Sequence, residues 1–500
     1  MRTGVVNLVS IMLLAPTLTA APLVLKVRIS SPPAVVEIPL ESYVAAVLAG
    51  ESGGFQSDEA LKAMAVAART YAVRMRGRHS TEGFDLCDTT HCQRLDRTHV
   101  TRRIEAAVSD TAGELLWYAG KPAFTPYTRD CGGRTEDAAA VWPDLAAPYL
   151  KSHADTWCTR QPGSHWRVSL DSAQIAGALV RSSLRAPGHP DRISILDRTP
   201  SGRASTLLLS GPESIRISAS SFRFAMGRDL GWNTIQSDNY DVRSANGRSV
   251  FEGTGSGHGV GLCQRGAEAM GRAGRSYHEI LEFYYPGATL GLNGQGLRWQ
   301  RLGGETISML TTQPERDAST LTAIERLSRS LTARTGWPVP PNVEVRVYPD
   351  LDTFRNATAE PGWVAAHTDG LRIHLQPIAL LRSRGALEST LSHELVHVTI
   401  ESRAAPGLPI WFREGLAESL SHTSEQGRNT YIGVPRIPSE TDLRQTGDPA
   451  RARKAYADAS AMVVRLVRVY GETAVLGWVG RGLPSGVTDA SSIQAAPKSR

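Results

Sequence analysis

The chain has 500 residues, 41% hydrophobic and 21% charged, which describes a globular protein with room for roughly two to four domains and excludes a disordered or fibrous one. Its formal net charge of +6 comes almost wholly from scattered arginines with no dense basic run, so no nucleic-acid partner is expected. Five cysteines in an oxidising compartment leave one unpaired, or divide between a disulfide and a metal site, and their positions favour the division.

Arg2, the apolar run from Val5 to Leu14 and the small residues from Thr17 to Ala21 form a secretory signal pattern, so residues 1–21 are excluded from the fold and the rest is expected to be exported. No later apolar run reaches the roughly 20 residues of a membrane span, and no transmembrane anchor is expected. Residues 23–29 and 34–38 read as short strands broken by Pro32 and Pro33, and 40–49 as a helix ending at Gly50. Glu51 follows between glycines, and the backbone freedom of Gly50, Gly53 and Gly54 is expected to hold it at a turn. The next helix is the most regular in the chain. Ser57 can cap it, Asp58 and Glu59 suit its positive end, and Leu61, Met64, Ala65, Ala68, Tyr71, Ala72 and Met75 mark one apolar face of mostly small residues.

Cys87, His91 and Cys92 crowd three soft ligands into FDLCDTTHCQRL, with His79 the nearest upstream candidate for a fourth. Four such ligands suit a closed, structural zinc site; the alternative is a small Cys87 to Cys92 disulfide beside a surface histidine. A hairpin turning at Gly120 leads to a loop at Cys131–Gly133, where a disulfide from Cys131 to Cys158 is expected to stabilise by about 3 kcal/mol, leaving Cys263 as the spare thiol or alternative partner. Thr135, Glu136 and Trp142 in that loop suit a sugar-binding wall, with a core role for Trp142 equally open. Residues 169–184 read as a helix and 193–217 as strands. In FEGTGSGHGVGLCQRGA, alternate glycines allow close backbone approach and present His258 and Gln264, without the lysine of a phosphate loop.

GESGGFQSDEALKAMAVAARTYA, CDTTHCQ, CGGRTE and GHGVGLCQRGA followed by SYHEILEFYYPG resemble, in order over about residues 25–292, the stage II sporulation protein D or amidase-enhancer family. The resemblance implies a peptidoglycan lytic transglycosylase with Glu51 as its single catalytic carboxyl and a zinc ion at His79, Cys87, His91 and Cys92. One carboxyl suffices because the sugar's own 6-hydroxyl attacks, giving an anhydro product, while the same residue serves as acid and then base. His258 and Gln264 would orient the glycan, with Arg69 and Tyr71 facing the same cleft.

After a linker at 293–317, residues 321–335 read as a helix and 343–348 and 370–375 as strands. HELVH then places His393 and His397 one helical turn apart as zinc ligands, with Glu394 as general base. Glu414, in IWFREGLAES, completes a His, His, Glu set, and the arrangement resembles the gluzincin metallopeptidases with a WxxEGLAE motif over about 305–480. Tyr456 reads as a core tyrosine, or as an oxyanion donor.

The expected fold is α+β. A signal (1–21) precedes a mixed α/β transglycosylase-like domain (22–292); the linker (293–317), a mainly helical zincin-like domain with a small sheet (318–481) and a disordered tail (482–500) follow. The expected protein is secreted or periplasmic and wall-associated, acts on peptidoglycan glycan strands and carries two zinc sites. The alternatives are a non-catalytic glycan-binding enhancer of a cell-wall amidase, and a wall-targeted zinc peptidase.

Overall fold

The computed structural model describes residues 23–487 except 161–164, 187, 189, 359, 422–435 and 444–448. The expected signal and residues 488–500 of the expected tail lie outside the described residues. Helices and strands are mixed, and the chain divides into two compact units between Leu297 and Arg298. Among the described residues no helix is long and apolar enough to cross a membrane.

The first unit is built around the helix Asp58–Arg74, which Ser57 caps by accepting from the Ala60 N–H at 3.3 Å. One apolar face was expected, but Ala60 through Ala68 are buried without a break except at Lys62. Alanine is the reason: with little side chain on any side, the helices Leu40–Glu51, Arg102–Asp110, Gln264–Arg272 and Tyr277–Tyr284 and the strand Leu115–Tyr118 all pack against it. Strands Val24–Ser30 and Pro33–Pro39 form an antiparallel hairpin, and Leu86–Cys87 joins the first of them in parallel register, Arg28 opposite Cys87.

A second layer of this unit joins His165–Asp171, Arg248–Thr254 and Tyr240–Ala245 in one antiparallel sheet and Arg192–Arg198, Ala204–Ser210 and Ile215–Ser218 in another. Phe222, Phe251, Ile175, Leu207 and Leu209 fill the space between these sheets and their helices. Residues 169–171, expected as helix, are strand; the helix starts at Ser172 because Asp171 and Gln174 form a reciprocal cap.

The second unit centres on a five-stranded mixed sheet in the order Gln300–Gly303, Ile307–Thr311, Val343–Val347, Arg372–Leu375, Ala366–Asp369. The inner pairs are parallel and the two edge pairs antiparallel. Much of the expected linker therefore belongs to this unit. Residues 300–303 and 307–311 pair as strands, and Pro314 opens the helix Pro314–Thr335 at a position where its missing N–H costs nothing. The strand Ile307–Thr311 is buried on both faces and so lacks the alternation that marks a half-exposed strand. The helices Leu387–Glu401, Ile410–Ser421 and Pro449–Tyr470 pack in sequence, with Leu395, Phe412 and Val463 in the shared core.

Candidate active site and metal-ligand clusters

Glu51 is the last residue of the helix Leu40–Glu51, with Ser52 closing that helix onto the Leu48 carbonyl at 2.8 Å. The expected turn at Gly50 is absent. Gly50 is helical, and its bare Cα lets the 93–96 segment lie against the helix: a Cβ there would stand 2.6 Å from the Arg94 carbonyl oxygen. The turn comes directly after Glu51 instead: the Phe55 N–H donates to the Ser52 carbonyl at 2.9 Å across Gly53 and Gly54, which have open space around them. The close approach brings the Arg94 N–H to Glu51 Oε1 at 2.9 Å. Burial pushes the Glu51 carboxyl above its ordinary range, more than the Arg94 N–H and charge draw it down. The negative end of the helix works in the same direction as burial.

Tyr127, which sequence reading missed, lies close enough for the Glu51 charge to act on its buried hydroxyl. Gln93 ties it in: the Tyr43 hydroxyl donates to Gln93 Oε1 at 3.0 Å, and Gln93 Nε2 donates to the Tyr127 oxygen at 3.1 Å. Residues 127–128 pair in parallel with Leu262–Cys263, beside the glycine-rich loop in which Gly255, Gly257, Gly259 and Gly261 all take positive φ. His258 hangs from that loop. Its Nδ1 accepts from the Val260 N–H at 3.0 Å, it bonds to the Tyr127 backbone, and its ring stands edge-on to Trp142 at 4.7 Å. Burial first, then Arg223 and Arg203, lowers its pKa to about 3, so it is a neutral hydrogen-bonding group. Glu51, Tyr127 and His258 thus share one neighbourhood, while Gln264 opens the helix Gln264–Arg272 next to Cys263.

Arg69 belongs elsewhere, while Tyr71 stays close to the site through Phe124, which packs on Trp142, which packs on His258. Arg69 is fully buried: its Nη2 meets Glu41 Oε2 at 2.7 Å, and it also donates to the carbonyls of Val108 and Glu114. This is a core ion pair, not a cleft residue. Tyr71 is buried against Phe124, and its oxygen accepts from Arg78 at 3.1 Å; burial raises its pKa to about 12. The expected sugar wall is also mostly interior, since Thr135 and Glu136 are each 1% exposed and Glu136 accepts from Thr199 and Ser201.

His79, Cys87, His91 and Cys92 bring one ligand atom each to within 4.8 Å of the others. Nitrogen and sulfur ligands around tetrahedral zinc stand about 3.3–3.8 Å apart. Here His79 Nε2 to Cys92 Sγ is 3.4 Å, and His91 Nδ1 lies 3.8 Å from Cys87 Sγ and 3.7 Å from Cys92 Sγ. Glu82 Oε1 holds His79 Nδ1 at 2.7 Å, which leaves Nε2 for the metal. The donor set fits zinc with no open position. Because Gln93 and Arg94 follow Cys92 directly, the cluster also anchors the segment that holds Glu51.

The expected disulfide is not formed: Cys131 and Cys158 are free thiols, as are the other three cysteines. Three buried sulfurs, Cys131, Cys158 and Cys263, instead converge with Asp155. Sequence spacing hides this group, because its members come from three separate segments.

In the second unit, His397 Nε2 lies 3.0 Å from His393 Nε2 and 3.1 Å from Glu414 Oε2, with His393 Nε2 and Glu414 Oε2 3.8 Å apart. These spacings fit a three-ligand zinc set. Glu418 Oε2 stands 3.4 Å from His393 Nδ1 on the opposite side of the ring, a supporting carboxylate the motif did not single out. Glu394 is buried and accepts from the Thr368 hydroxyl, and Tyr456 donates to the Leu443 carbonyl at 3.4 Å.

Residues 30–118 match the family described as stage II sporulation protein. The chain is 30% identical over 294 residues to stage II sporulation protein D of Bacillus subtilis, covering 55% of this chain and 81% of that protein. It is 33% identical over 256 residues to an uncharacterized protein of Brachyspira hyodysenteriae, covering 51% and 67% of the two chains. The amidase enhancer of Bacillus subtilis is 29% identical over 285 residues, 49% of this chain and 39% of that protein. The chain belongs to the stage II sporulation protein D family.

Proposed function

We propose that this protein is an exported cell-wall remodelling enzyme whose first unit is a peptidoglycan lytic transglycosylase with Glu51 as its one acid and base. The observation that carries the reading is the state of Glu51: a half-buried carboxyl, raised above its ordinary range and fixed by the Arg94 N–H beside Tyr127. Such a group holds its proton nearer to neutral pH and can deliver it to a glycosidic oxygen. The resulting carboxylate then takes the proton of the sugar's attacking 6-hydroxyl, so no second carboxyl is needed. His258 buttresses the Tyr127 strand, and zinc at His79, Cys87, His91 and Cys92 is structural.

The second unit is a zinc metallopeptidase-like domain in this reading. His393, His397 and Glu414 would hold the ion, which when bound supplies Lewis acidity for peptide hydrolysis. Glu394 would accept a proton from water, Thr368 orients Glu394, and Glu418 orients His393.

The test is mass spectrometry of products from purified peptidoglycan strands. Anhydro-muropeptides are expected from the native chain and none from Glu51→Gln with its fold intact; release that survives the substitution excludes Glu51. The similarity to the amidase enhancer favours a second reading, a glycan-binding enhancer without activity of its own. It predicts no anhydro products from the native chain, and faster cleavage by an added cell-wall amidase.

A further inference from the structure

Cys131, Cys158, Cys263 and Asp155 are all at most 3% exposed, and their ligand atoms lie within 4.8 Å of one another. Cys131 comes from the loop before Arg134, Asp155 caps the turn Thr156–Thr159 that carries Cys158, and Cys263 caps the helix Gln264–Arg272. A disulfide between any two of the thiols would leave the third buried against a carboxylate. Cys131 Sγ and Cys158 Sγ each stand 3.2 Å from a carboxylate oxygen, of Asp155 and Asp130, and Cys263 is placed as a thiolate would be. The N–H groups of Cys131 and Gly266 point at Cys263 Sγ, at 3.3 and 3.4 Å, and Cys263 stands at the positive end of a helix.

Asp155 is held as a ligand would be. Its Oδ1 accepts from the N–H groups of Trp157 and Cys158 at 3.1 and 2.9 Å, while Oδ2 accepts from the Tyr284 hydroxyl at 2.9 Å and lies 3.2 Å from Cys131 Sγ. Gly266 makes room for this: a Cβ there would stand 2.0 Å from the Tyr284 oxygen and 2.5 Å from Asp155 Oδ2. The buried Arg203 guanidinium donates to the Cys131 carbonyl and brings positive charge next to the sulfurs.

We infer that Cys131, Cys158, Cys263 and Asp155 form a second structural metal site in the first unit, separate from the His79 cluster and taking a thiolate-preferring divalent cation of the zinc class. Three sulfurs and one carboxylate oxygen close a tetrahedron, and the backbone N–H groups and Tyr284 orient the ligands from outside. The ion would tie the Cys131 loop to the helix that carries Gln264, beneath the glycine-rich loop. This site goes beyond the transglycosylase reading and does not depend on it.

The full chain, loaded with zinc and freed of excess metal, is titrated with a mercurial while released zinc is followed with a chromophoric chelator. Five thiols and two equivalents of thiol-bound zinc are expected, since the His393 set contains no sulfur. Three reactive thiols, or release of only one equivalent, would overturn the inference. Cys263→Ser and Asp155→Asn should each lower bound zinc by one equivalent, and Cys87→Ser should remove a different one, so that the Cys87→Ser, Cys263→Ser chain loses two. The titration of the native chain decides the matter even where a variant does not fold.

Discussion

Among single residues, Glu51 is expected to set the pH dependence of glycan cleavage. Burial raises its pKa in the folded chain, so the protonated form needed for the first step is present below that value and lost as pH rises through it. The alkaline limb of anhydro-muropeptide release should therefore lie above the roughly 4.3 of an unperturbed glutamate. A pH-rate profile from acid to neutral checks this, and a limb at the ordinary value would contradict it. The same shift has a stability side. A carboxyl whose folded pKa exceeds its unfolded one weakens the fold as pH climbs from the unfolded value through the folded one. Glu51→Gln removes that cost, so at neutral pH its melting temperature should equal or exceed that of the native chain while activity disappears. Glu51 was legible as a residue, from a motif and its glycines. Tyr127 was not, because its relevance comes from strand pairing with residues 262–263, far along the chain.

The element that decides the site is the end of the helix Leu40–Glu51. Glycine inside a helix ordinarily costs about 1 kcal/mol relative to alanine, so propensity alone predicts that Gly50→Ala stabilises. The structure reverses the sign. The added Cβ would meet the Arg94 carbonyl at 2.6 Å, and backbone cannot rotate away as a side chain can. Overpacking of this kind costs about 1–3 kcal/mol, and relief would move the Arg94 N–H from Glu51. Gly50→Ala is expected to lower the melting temperature by a few degrees and to slow glycan cleavage; a more stable and fully active variant would show that the close approach is not needed. Sequence periodicity located both helices around Glu51. It placed the boundary too early because glycine reads as a stop signal, and nothing local distinguishes a glycine that ends a helix from one that admits a neighbour.

At the scale of the whole molecule, two units with separate cores carry separate sets of chemistry-bearing residues. If each site acts alone, Glu394→Gln should abolish any cleavage of casein or peptide substrates while leaving anhydro-muropeptide release unchanged, and Glu51→Gln should do the reverse. Loss of both activities on either substitution would contradict separate sites. The His393, His397, Glu414 set was readable in advance because helical spacing puts two of its members one turn apart. The support of His393 by Glu418 and of Glu394 by Thr368 was not, since those contacts depend on how a second helix and a sheet edge meet the first.

By itself the sequence determined what local pattern can carry: the helix caps, the central alanine-rich helix, the order of the family motifs, and ligand sets whose members lie close in the chain. Only the tertiary structure decided which residues share a space. It buried Arg69 in an ion pair with Glu41, brought Tyr127 within reach of Glu51 with His258 bonded to its backbone, and drew Cys131 and Cys158 away from a simple staple into a group with Cys263 and Asp155. The physical reason is the same in each case. Burial and close approach are set by segments remote in sequence, and one side chain can satisfy either a local or a distant partner until packing chooses between them.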